Sequence, residues 1–365
     1  MEDHKKIGHR EALTLIIVLL SAKVFLSFPR DLALLGGSAG WLIVLLAGVL
    51  SLIGYYFLIS VLQKYPSQNI IQIARQVTGK VPGTILGIII FVFFLLLTSM
   101  MLRKFAESFI LEILPRTPIS VIMIFFLILL SYAAMLGVET LTRVAWFFGP
   151  YLLVALLTIL FFSLPQGAWE NLTPVLGAGP LPIFKNAVKH NSIFSEILLL
   201  GLIAPLIRKQ DKVFQVGLYS IIISIFIQMV VAITVVFVFN YAAASRIIFP
   251  IFQLARLITY GEFIQRVEAV FVFLWFFTAG IHMGGLFYGS VASCAETFQI
   301  QEYRPRIVPM AVIIVAVGII PNSMTDTVVL NDFMLSFFYW ITALGVPFLL
   351  WLVMVLLKRR RRDGQ

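Results

Sequence analysis

The chain has 365 residues, of which 61% are hydrophobic and 12% are charged, whereas a soluble domain is about 45–50% apolar and about 25% charged. This composition excludes an ordinary water-soluble globular protein and predicts an all-α polytopic membrane protein. The formal net charge of +10 comes mainly from short basic connections, so it reports membrane topology and gives no support for nucleic-acid binding. One cysteine and four scattered histidines indicate neither an internal disulfide nor a metal site, and no cofactor is expected.

Hydropathy divides the chain into membrane spans. A span needs about 20 mostly apolar residues, and about ten stretches meet this requirement. They cover roughly 11–35, 39–63, 83–111, 118–137, 142–164, 188–207, 213–240, 264–295, 307–321 and 329–357. Because the basic residues are concentrated in the connections on the side of the N-terminus, we expect both termini to be cytoplasmic.

The first and sixth spans each carry a charge inside an apolar helix. Lys23 lies in the middle of the first span, where a cation is unfavourable by about 2.5–3.5 kcal/mol on insertion scales, so it needs a partner, a hydrated cavity or a function. Glu196 is similarly deep in the sixth span. If these helices face each other, the two side chains form an ion pair that serves either as a structural latch or as a proton- or ligand-responsive switch.

The same two spans contain prolines, Pro29 and Pro205. Proline removes a backbone donor and disfavours helical geometry in the residue before it, so either the prolines interrupt the two helices or they end them near the membrane surface. Interruption fits a five-plus-five inverted repeat, in which two broken helices meet at a binding site. The whole chain, 1–365, is then one transmembrane domain, divided into a first repeat of about 11–164, a crossover loop of about 165–187, a second repeat of about 188–321, and a tenth helix with a basic tail of about 329–365.

Other polar residues within spans leave two interpretations open. Arg103 and Glu107 in the third span are four residues apart and therefore pair along one helical face, while Lys104 points about 100° away. This cluster is either a stem that reaches the outer surface or a substrate contact. His282 in the eighth span is either a hydrogen-bonded packing residue or a ligand contact. Residues 246–262 have apolar positions at helical spacing and predict a short interfacial or lid helix.

Three short segments and the basic tail resemble one family. They are Phe-Pro-Arg at 28–30, Leu-Pro-Arg-Thr-Pro at 114–118 and Asn-Leu-Thr-Pro-Val-Leu-Gly at 171–177. With about ten spans, they resemble the B-subunit permease of bacterial spore germinant receptors, and the resemblance covers nearly the whole chain. It implies the endospore germination permease family, within the amino acid, polyamine and organocation transporter superfamily, and a LeuT-like five-plus-five fold with interrupted first and sixth helices.

This resemblance implies a receptor subunit without enzymatic activity. The subunit would bind a small nutrient, such as an amino acid, in a pocket between helices one, three, six and eight and trigger germination. Its implied partners are a larger membrane A subunit, a lipoprotein C subunit and membrane lipid, in the bacterial cell membrane or the spore inner membrane. The alternatives are a proton-coupled or facilitated transporter of amino acids or other small organic solutes, and a scaffold whose pocket is vestigial.

The candidate site follows from the buried polar residues and from this resemblance. The expected substrate-binding residues are Lys23, Ser27, Glu107, Glu196, Gly201 and His282, with helix breaks at Pro29 and Pro205. Amino acid transporters of the superfamily usually have a Gly-x-Gly-like turn in the first span, whose amides receive the substrate carboxylate, but residues 21–27 contain no glycine. Lys23 then replaces those amides, mimics a coupling cation, or holds the empty site closed through Glu196.

Overall fold

The computed structural model describes residues 7–258, 267–321, 323, 326–327, 329–330, 333–334, 338 and 340–363, without the side chains of 267–270 and 358–363. Seven helices in these ranges are long and apolar enough to cross a membrane. Helical segments at the start of the chain, at Ile307–Ile319 and towards the C-terminus account for the remaining predicted spans. The chain is therefore an integral membrane protein built from helices.

The helices follow the predicted spans closely, with α4 and α11 as short additions. The first span is α1 (His9–Ser21) and α2 (Phe28–Gly36), and the sixth is α8 (Pro180–Lys189) and α9 (Leu198–Ile203). The other helices are α3 (Gly40–Leu62), α4 (Ile70–Thr78), α5 (Lys80–Glu112), α6 (Ile119–Leu136), α7 (Val138–Ser163), α10 (Val213–Ala244), α11 (Pro250–Leu257), α12 (Val267–Thr297), α13 (Ile307–Ile319) and α14 (Val346–Asp363).

The first span is interrupted, as the sequence predicts. Between α1 and α2 the chain forms a 3-10 turn over Ala22–Phe25, after which Leu26 is extended with φ −103° and ψ −153°. Pro29 lies in the first turn of α2, where its fixed φ suits a helix start and its missing N–H has no intrahelical acceptor to lose. Pro29 therefore begins the second half of the span, directly after the break.

The sixth span is also interrupted, but not where the sequence analysis expects. Its non-α segment is a 3-10 turn over Asn191–Ile197, between α8 and α9. Pro205 lies further along, in the turn Ala204–Leu206 that ends the span. The assignment of the break to Pro205 is therefore wrong, because this proline stops the helix and the interruption lies in a segment that contains neither proline nor glycine.

The crossover loop is shorter than predicted. Gly179 has a positive φ of 99°, which suits a glycine, and Pro180 begins α8 in its first turn. Pro180, one of the prolines that suggest a loop as far as residue 187, therefore belongs to a helix start, where proline is tolerated. The prediction that the sixth span begins near residue 188 is wrong for the same reason.

The two broken spans are joined at one face of the protein, called here the N-terminal face. The backbone N–H of Ile7 donates to the Leu206 carbonyl at 2.8 Å, and the Arg208 N–H donates to the Ile7 carbonyl at 3.0 Å. Ile7 and Ile207 are both buried. This backbone bridge connects the start of α1 to the end of the span that contains α9.

The sixth span is central and the fifth is peripheral. In the most apolar 18-residue stretch of the span Pro180–Leu206, 89% of the residues are buried. The corresponding value for Val138–Gln166 is 28%. The helix α12 packs closely on α5 and α1, because a Cβ added at Gly289 would meet a Phe94 ring atom at 2.6 Å and one at Gly285 would meet a Leu19 methyl carbon at 2.8 Å. Small residues permit such close helix approach in membranes.

The predicted lid helix in 246–262 corresponds to α11. It covers Pro250–Leu257 and contacts α7, α12 and the break of the first span. The end of the predicted segment, 259–262, lies outside the described residues. Within the described part, α11 is therefore placed next to the interruption between α1 and α2.

Candidate functional site

The two helix breaks meet at an ion pair. The Lys23 Nζ atom, in the break of the first span, lies 3.2 Å from Glu196 Oε2 in the break of the sixth. The same ammonium group donates a hydrogen bond to the Ile193 carbonyl. The Glu196 side chain is 3% exposed and the Lys23 side chain 13%. The ion pair that the sequence analysis raises as a hypothesis is thus present in the interior of the helical bundle.

The second carboxylate oxygen of Glu196 is held by α12. His282 Nε2 lies 3.2 Å from Glu196 Oε1, and both side chains are almost fully buried. One carboxylate therefore connects three spans, namely the first through Lys23, the sixth through its own backbone and the eighth through His282. A buried carboxylate is stable only when neighbouring groups compensate for the loss of water around its charge, as Lys23 and His282 do here.

Polar side chains of α10 satisfy the broken end of α1. Gln228 Nε2 donates to the Leu20 carbonyl at 3.0 Å, and the Ser21 hydroxyl donates to Ser224 Oγ at 3.1 Å. A helix end within a membrane leaves backbone carbonyls without intrahelical partners, and they need other donors. The seventh span therefore supports the interruption that places Lys23 opposite Glu196.

A cavity of about 80 Å³ lies against the ion pair. This volume has room for a few water molecules. One part of the wall is charged or hydroxyl-bearing, and the other is apolar. The wall includes Lys23, Ser27 and Asp31 of the first span, Leu97, Met101 and Lys104 of α5, and His190, Ser192, Ser195 and Glu196 of the sixth span.

Three of the predicted site residues line this cavity, and three do not. Lys23, Ser27 and Glu196 are in its wall. His282 is connected to it through Glu196 and lines a smaller space beside Trp275. Gly201 and Glu107 lie elsewhere, as described next.

Gly201 is a packing residue of α9. A Cβ added at this position would lie 3.2 Å from Ile70 Cγ2 and 3.4 Å from Leu58 Cδ1. Gly201 therefore faces α4 and α3, and its backbone is not part of the cavity wall. The prediction that it contacts substrate is not supported by this position, because α9 turns Gly201 away from the break that holds Glu196.

Glu107 belongs to a second buried cluster. Arg103 Nε donates to Glu107 Oε1 at 2.6 Å, the Thr327 hydroxyl donates to the same oxygen at 3.3 Å, and Arg103 Nη1 lies 3.5 Å from the Gly318 carbonyl. Arg103 and Glu107 are 6% and 7% exposed. The predicted i,i+4 pair is present, but the interpretation as a stem at the outer surface is wrong, because the pair is enclosed between α5, α13 and the residues that follow α13.

Several residues of the cavity wall are absent from the predicted set of substrate-binding residues. The Asp31 carboxylate accepts from the Ser27 hydroxyl at 3.1 Å, and the i,i+4 spacing of the two is a signal that can be found in the sequence. Lys104 lies in the wall because it points away from the Arg103–Glu107 face of α5. His190 and Ser192 lie inside the predicted sixth span, but they are missed because the break is assigned to Pro205, further along that span.

Aromatic rings cover the break on the side of α11. Phe271 of α12 lies 5.9 Å from Phe25 in the break and 5.5 Å from Phe252 of α11, measured between ring centroids. Trp275 continues this layer to Phe105 of α5, with centroids 4.9 Å apart. Such aromatic pairs are favourable beyond their buried area. The break is thus covered by aromatic rings on the side of α11 and α12.

Comparisons with known proteins agree with this architecture. A family model described as spore germination protein matches residues 6–327. Spore germination proteins B2 and A2 of Bacillus subtilis (strain 168) are each 23% identical to the chain, B2 over 96% of the chain and 93% of its own length, and A2 over 97% of both. Spore germination protein GerLB of Bacillus cereus is 26% identical over 99% of the chain and 96% of its own length.

The fold matches a solved structure. The crystal structure of MhsT in complex with L-phenylalanine aligns with a TM-score of 0.71 and 16% sequence identity, covering 94% of this chain and 89% of MhsT. MhsT is a transporter of the LeuT fold, so the chain has a LeuT-like fold. With a family match over most of its length, the chain belongs to the spore germination protein family, whose members are permease-like membrane proteins rather than enzymes.

Proposed function

We propose that the chain is the permease-like membrane subunit of a spore germinant receptor and binds a small nutrient, such as an amino acid, in the cavity beside Lys23 and Glu196. The observation that carries this proposal is the cavity itself, which lies where the two helix breaks meet in a member of the spore germination family. Binding there would shift the broken helices relative to each other and so trigger germination.

The wall chemistry supports a small polar ligand with an apolar part. Ser27, Ser192 and Ser195 supply hydroxyl groups, whereas Leu97 and Met101 supply an apolar surface. Small-molecule sites commonly combine a mainly apolar wall with a few well-placed polar groups. The cavity of about 80 Å³ is below the usual range of about 300–1,000 Å³, so binding would require the halves of the broken spans to move apart.

The proposal includes partners and an orientation. We expect a larger membrane A subunit and a lipoprotein C subunit as partners, with lipid around the spans, in the bacterial cell membrane or the spore inner membrane. Relatives called spore germination proteins A2 and B2 support a receptor complex. The concentration of basic residues at the N-terminal side supports cytoplasmic termini.

A second candidate function is transport of amino acids or other small organic solutes, by proton coupling or by facilitated diffusion. The observation that favours it is the LeuT-like fold, shared with MhsT in its complex with L-phenylalanine. Receptor and transporter use the same cavity in this view, and they differ in whether the bound solute crosses the membrane.

Ligand binding tests the shared part of both functions. The purified chain would be screened by thermal shift against the common L-amino acids and other small nutrients, and we expect at least one to raise its Tm. Met101→Trp should abolish this response, because the larger side chain fills the cavity. Ile85→Trp, on the exposed face of the same helix, should retain it. A ligand response that survives Met101→Trp would place the site elsewhere.

Uptake separates the two functions. The chain would be reconstituted in liposomes and supplied with any radiolabelled nutrient that stabilises it. Stabilisation without uptake supports the receptor, whereas uptake above that of the Met101→Trp variant supports the transporter. If no nutrient stabilises the chain, the binding proposal is contradicted for the chain on its own.

A further inference from the structure

The ammonium group of Lys23 has the surroundings of a bound cation. Its neighbours are the Glu196 carboxylate, 3.2 Å away, and the Ile193 carbonyl. A carboxylate and a backbone carbonyl are the oxygen ligands that hard metal cations prefer. The group reaches this position from a break in the first span, where the 3-10 turn ends the α-helix.

The position is also one that requires a positive charge. Glu196 is 2% exposed, and an isolated carboxylate cannot remain ionised so far from water. His282 holds the other oxygen, so Lys23 is the residue beside Oε2 in the described structure. If the ammonium group were removed, the carboxylate and the Ile193 carbonyl would remain as a partly formed oxygen site next to a cavity of about 80 Å³.

We propose that Lys23 is a tethered cation, whose ammonium group occupies a monovalent-cation position between the two helix breaks. The closed arrangement of the first and sixth spans then needs no free Na⁺ or K⁺. This proposal concerns the same cavity as the proposed function but does not depend on a nutrient, because the ion pair forms within the protein itself.

Truncation of the side chain provides a specific test. Lys23→Ala removes the charge and opens space beside Glu196 for a small cation. Lys23→Met removes the charge but fills the space, so it is a matched control. The double variant Lys23→Ala, Glu196→Gln lacks both the ammonium group and the carboxylate, and it should have no cation site. These three variants separate the loss of charge from the loss of packing.

The experiment measures the Tm of the purified full chain without any nutrient. Each protein is placed at about pH 8, above the usual pKa of a carboxyl group, in about 150 mM of the chloride salt of Na⁺, K⁺, methylammonium or choline. The unaltered chain should have the same Tm in all four salts. For Lys23→Ala, we expect a lower Tm in choline and a rise of about 3 °C or more with at least one of the three smaller cations.

The controls have defined outcomes. Lys23→Met and the double variant should have Tm values that are the same in all four salts. The proposal is overturned if Lys23→Ala shows no difference between choline and the smaller cations, if the unaltered chain itself is stabilised by Na⁺ or K⁺ over choline, or if the double variant keeps the response. If Lys23→Ala does not fold in choline, recovery of folded protein with a smaller cation supports the proposal, and failure in all four salts contradicts it.

The outcome is independent of nutrient binding. Because the assay contains no nutrient, a negative result would leave the proposed binding function untouched. Conversely, failure to find a nutrient would not change the expected cation response of Lys23→Ala.

Discussion

Two buried ion pairs of this protein have similar chemistry and different positions in the fold. Lys23 and Glu196 come from two different spans, each at a break in its helix. Arg103 and Glu107 are one turn apart on the continuous helix α5. The first pair lies in the wall of a cavity, whereas the second is enclosed between packed helices.

The two pairs differ in the hydrogen-bond partners that surround each buried charge. In the first cluster Lys23 donates to the Ile193 carbonyl, which lies in the 3-10 segment that interrupts the sixth span. In the second, the partners outside α5 among the described residues include the Thr327 hydroxyl and the Gly318 carbonyl, and α5 is continuous at the pair. The Lys23–Glu196 pair therefore joins the breaks of two spans, while the Arg103–Glu107 pair lies within one continuous helix.

The largest expected effect is that of Glu196→Leu. This change leaves the Lys23 ammonium group buried without its carboxylate, so we expect a loss of about 3–5 kcal/mol in the free energy of unfolding. The measurement is denaturant or thermal unfolding in detergent. The double variant Lys23→Met, Glu196→Leu should recover at least half of this loss, because an apolar pair can replace a buried ion pair. A double variant that is less stable than Glu196→Leu would contradict this account.

A smaller loss is expected for Glu107→Gln. The amide oxygen can still accept from Arg103 and Thr327, but the charge-assisted hydrogen bond is lost, so we expect a destabilisation of about 1.5–3 kcal/mol. The affinity for any nutrient found in the thermal-shift screen should change by less than about 3-fold, or about 0.6 kcal/mol. Glu196→Gln is the matched variant in the cavity wall, and it should abolish binding. Equal effects of the two variants on affinity would remove the distinction between the clusters.

The contact between His282 and Glu196 allows a finer comparison. His282→Phe removes the partner of Glu196 Oε1 and keeps an aromatic ring of similar size, so we expect a loss of about 2 kcal/mol. Because α12 then no longer holds the Glu196 side chain, nutrient affinity should also fall. Unfolding and binding measurements on the same preparation test both effects, and an unchanged affinity would show that Lys23 alone positions Glu196.

The smallest effect is expected for Thr327→Val. This isosteric change removes the hydroxyl that lies 3.3 Å from Glu107 Oε1 and 2.9 Å from the Ser323 carbonyl, and the net contribution of such a hydrogen bond is about 1 kcal/mol. Nutrient affinity should be the same as in the unaltered chain. Ser60→Ala, at a residue whose hydroxyl bonds only within its own helix, is the control for loss of a hydroxyl group. If Thr327→Val costs no more than this control, the hydroxyl does not support Glu107.

The two helix breaks differ in how well the sequence predicts them. The first is predictable, because a lysine and a proline stand close together in an apolar span. The second is missed, because Asn191–Ile197 contains no proline or glycine. The backbone of this segment is contacted by residues far away in the sequence, and one such contact is the hydrogen bond from Lys23 to the Ile193 carbonyl. Pro205 is a strong local signal that marks the end of the helix instead.

The residues of the cavity wall are also only partly predictable from the sequence. Lys23, Ser27 and Glu196 are predicted for the site and are in the wall, whereas Gly201 and Glu107 are predicted for it and lie elsewhere. The spacing of residues along a helix predicts which side chains share a face. It does not predict which neighbouring helix that face will contact.

Local sequence is enough to establish that this is a helical membrane protein, where most of its spans lie and which charges are buried in them. These properties follow from the free energy of transferring each residue from water to the membrane interior, which depends on local composition. Helix packing, in contrast, brings Glu196 into contact with both Lys23 and His282, and it fixes where the sixth span is broken and which side chains surround the cavity. Those contacts join residues far apart in the chain, and they depend on how the helices pack against one another.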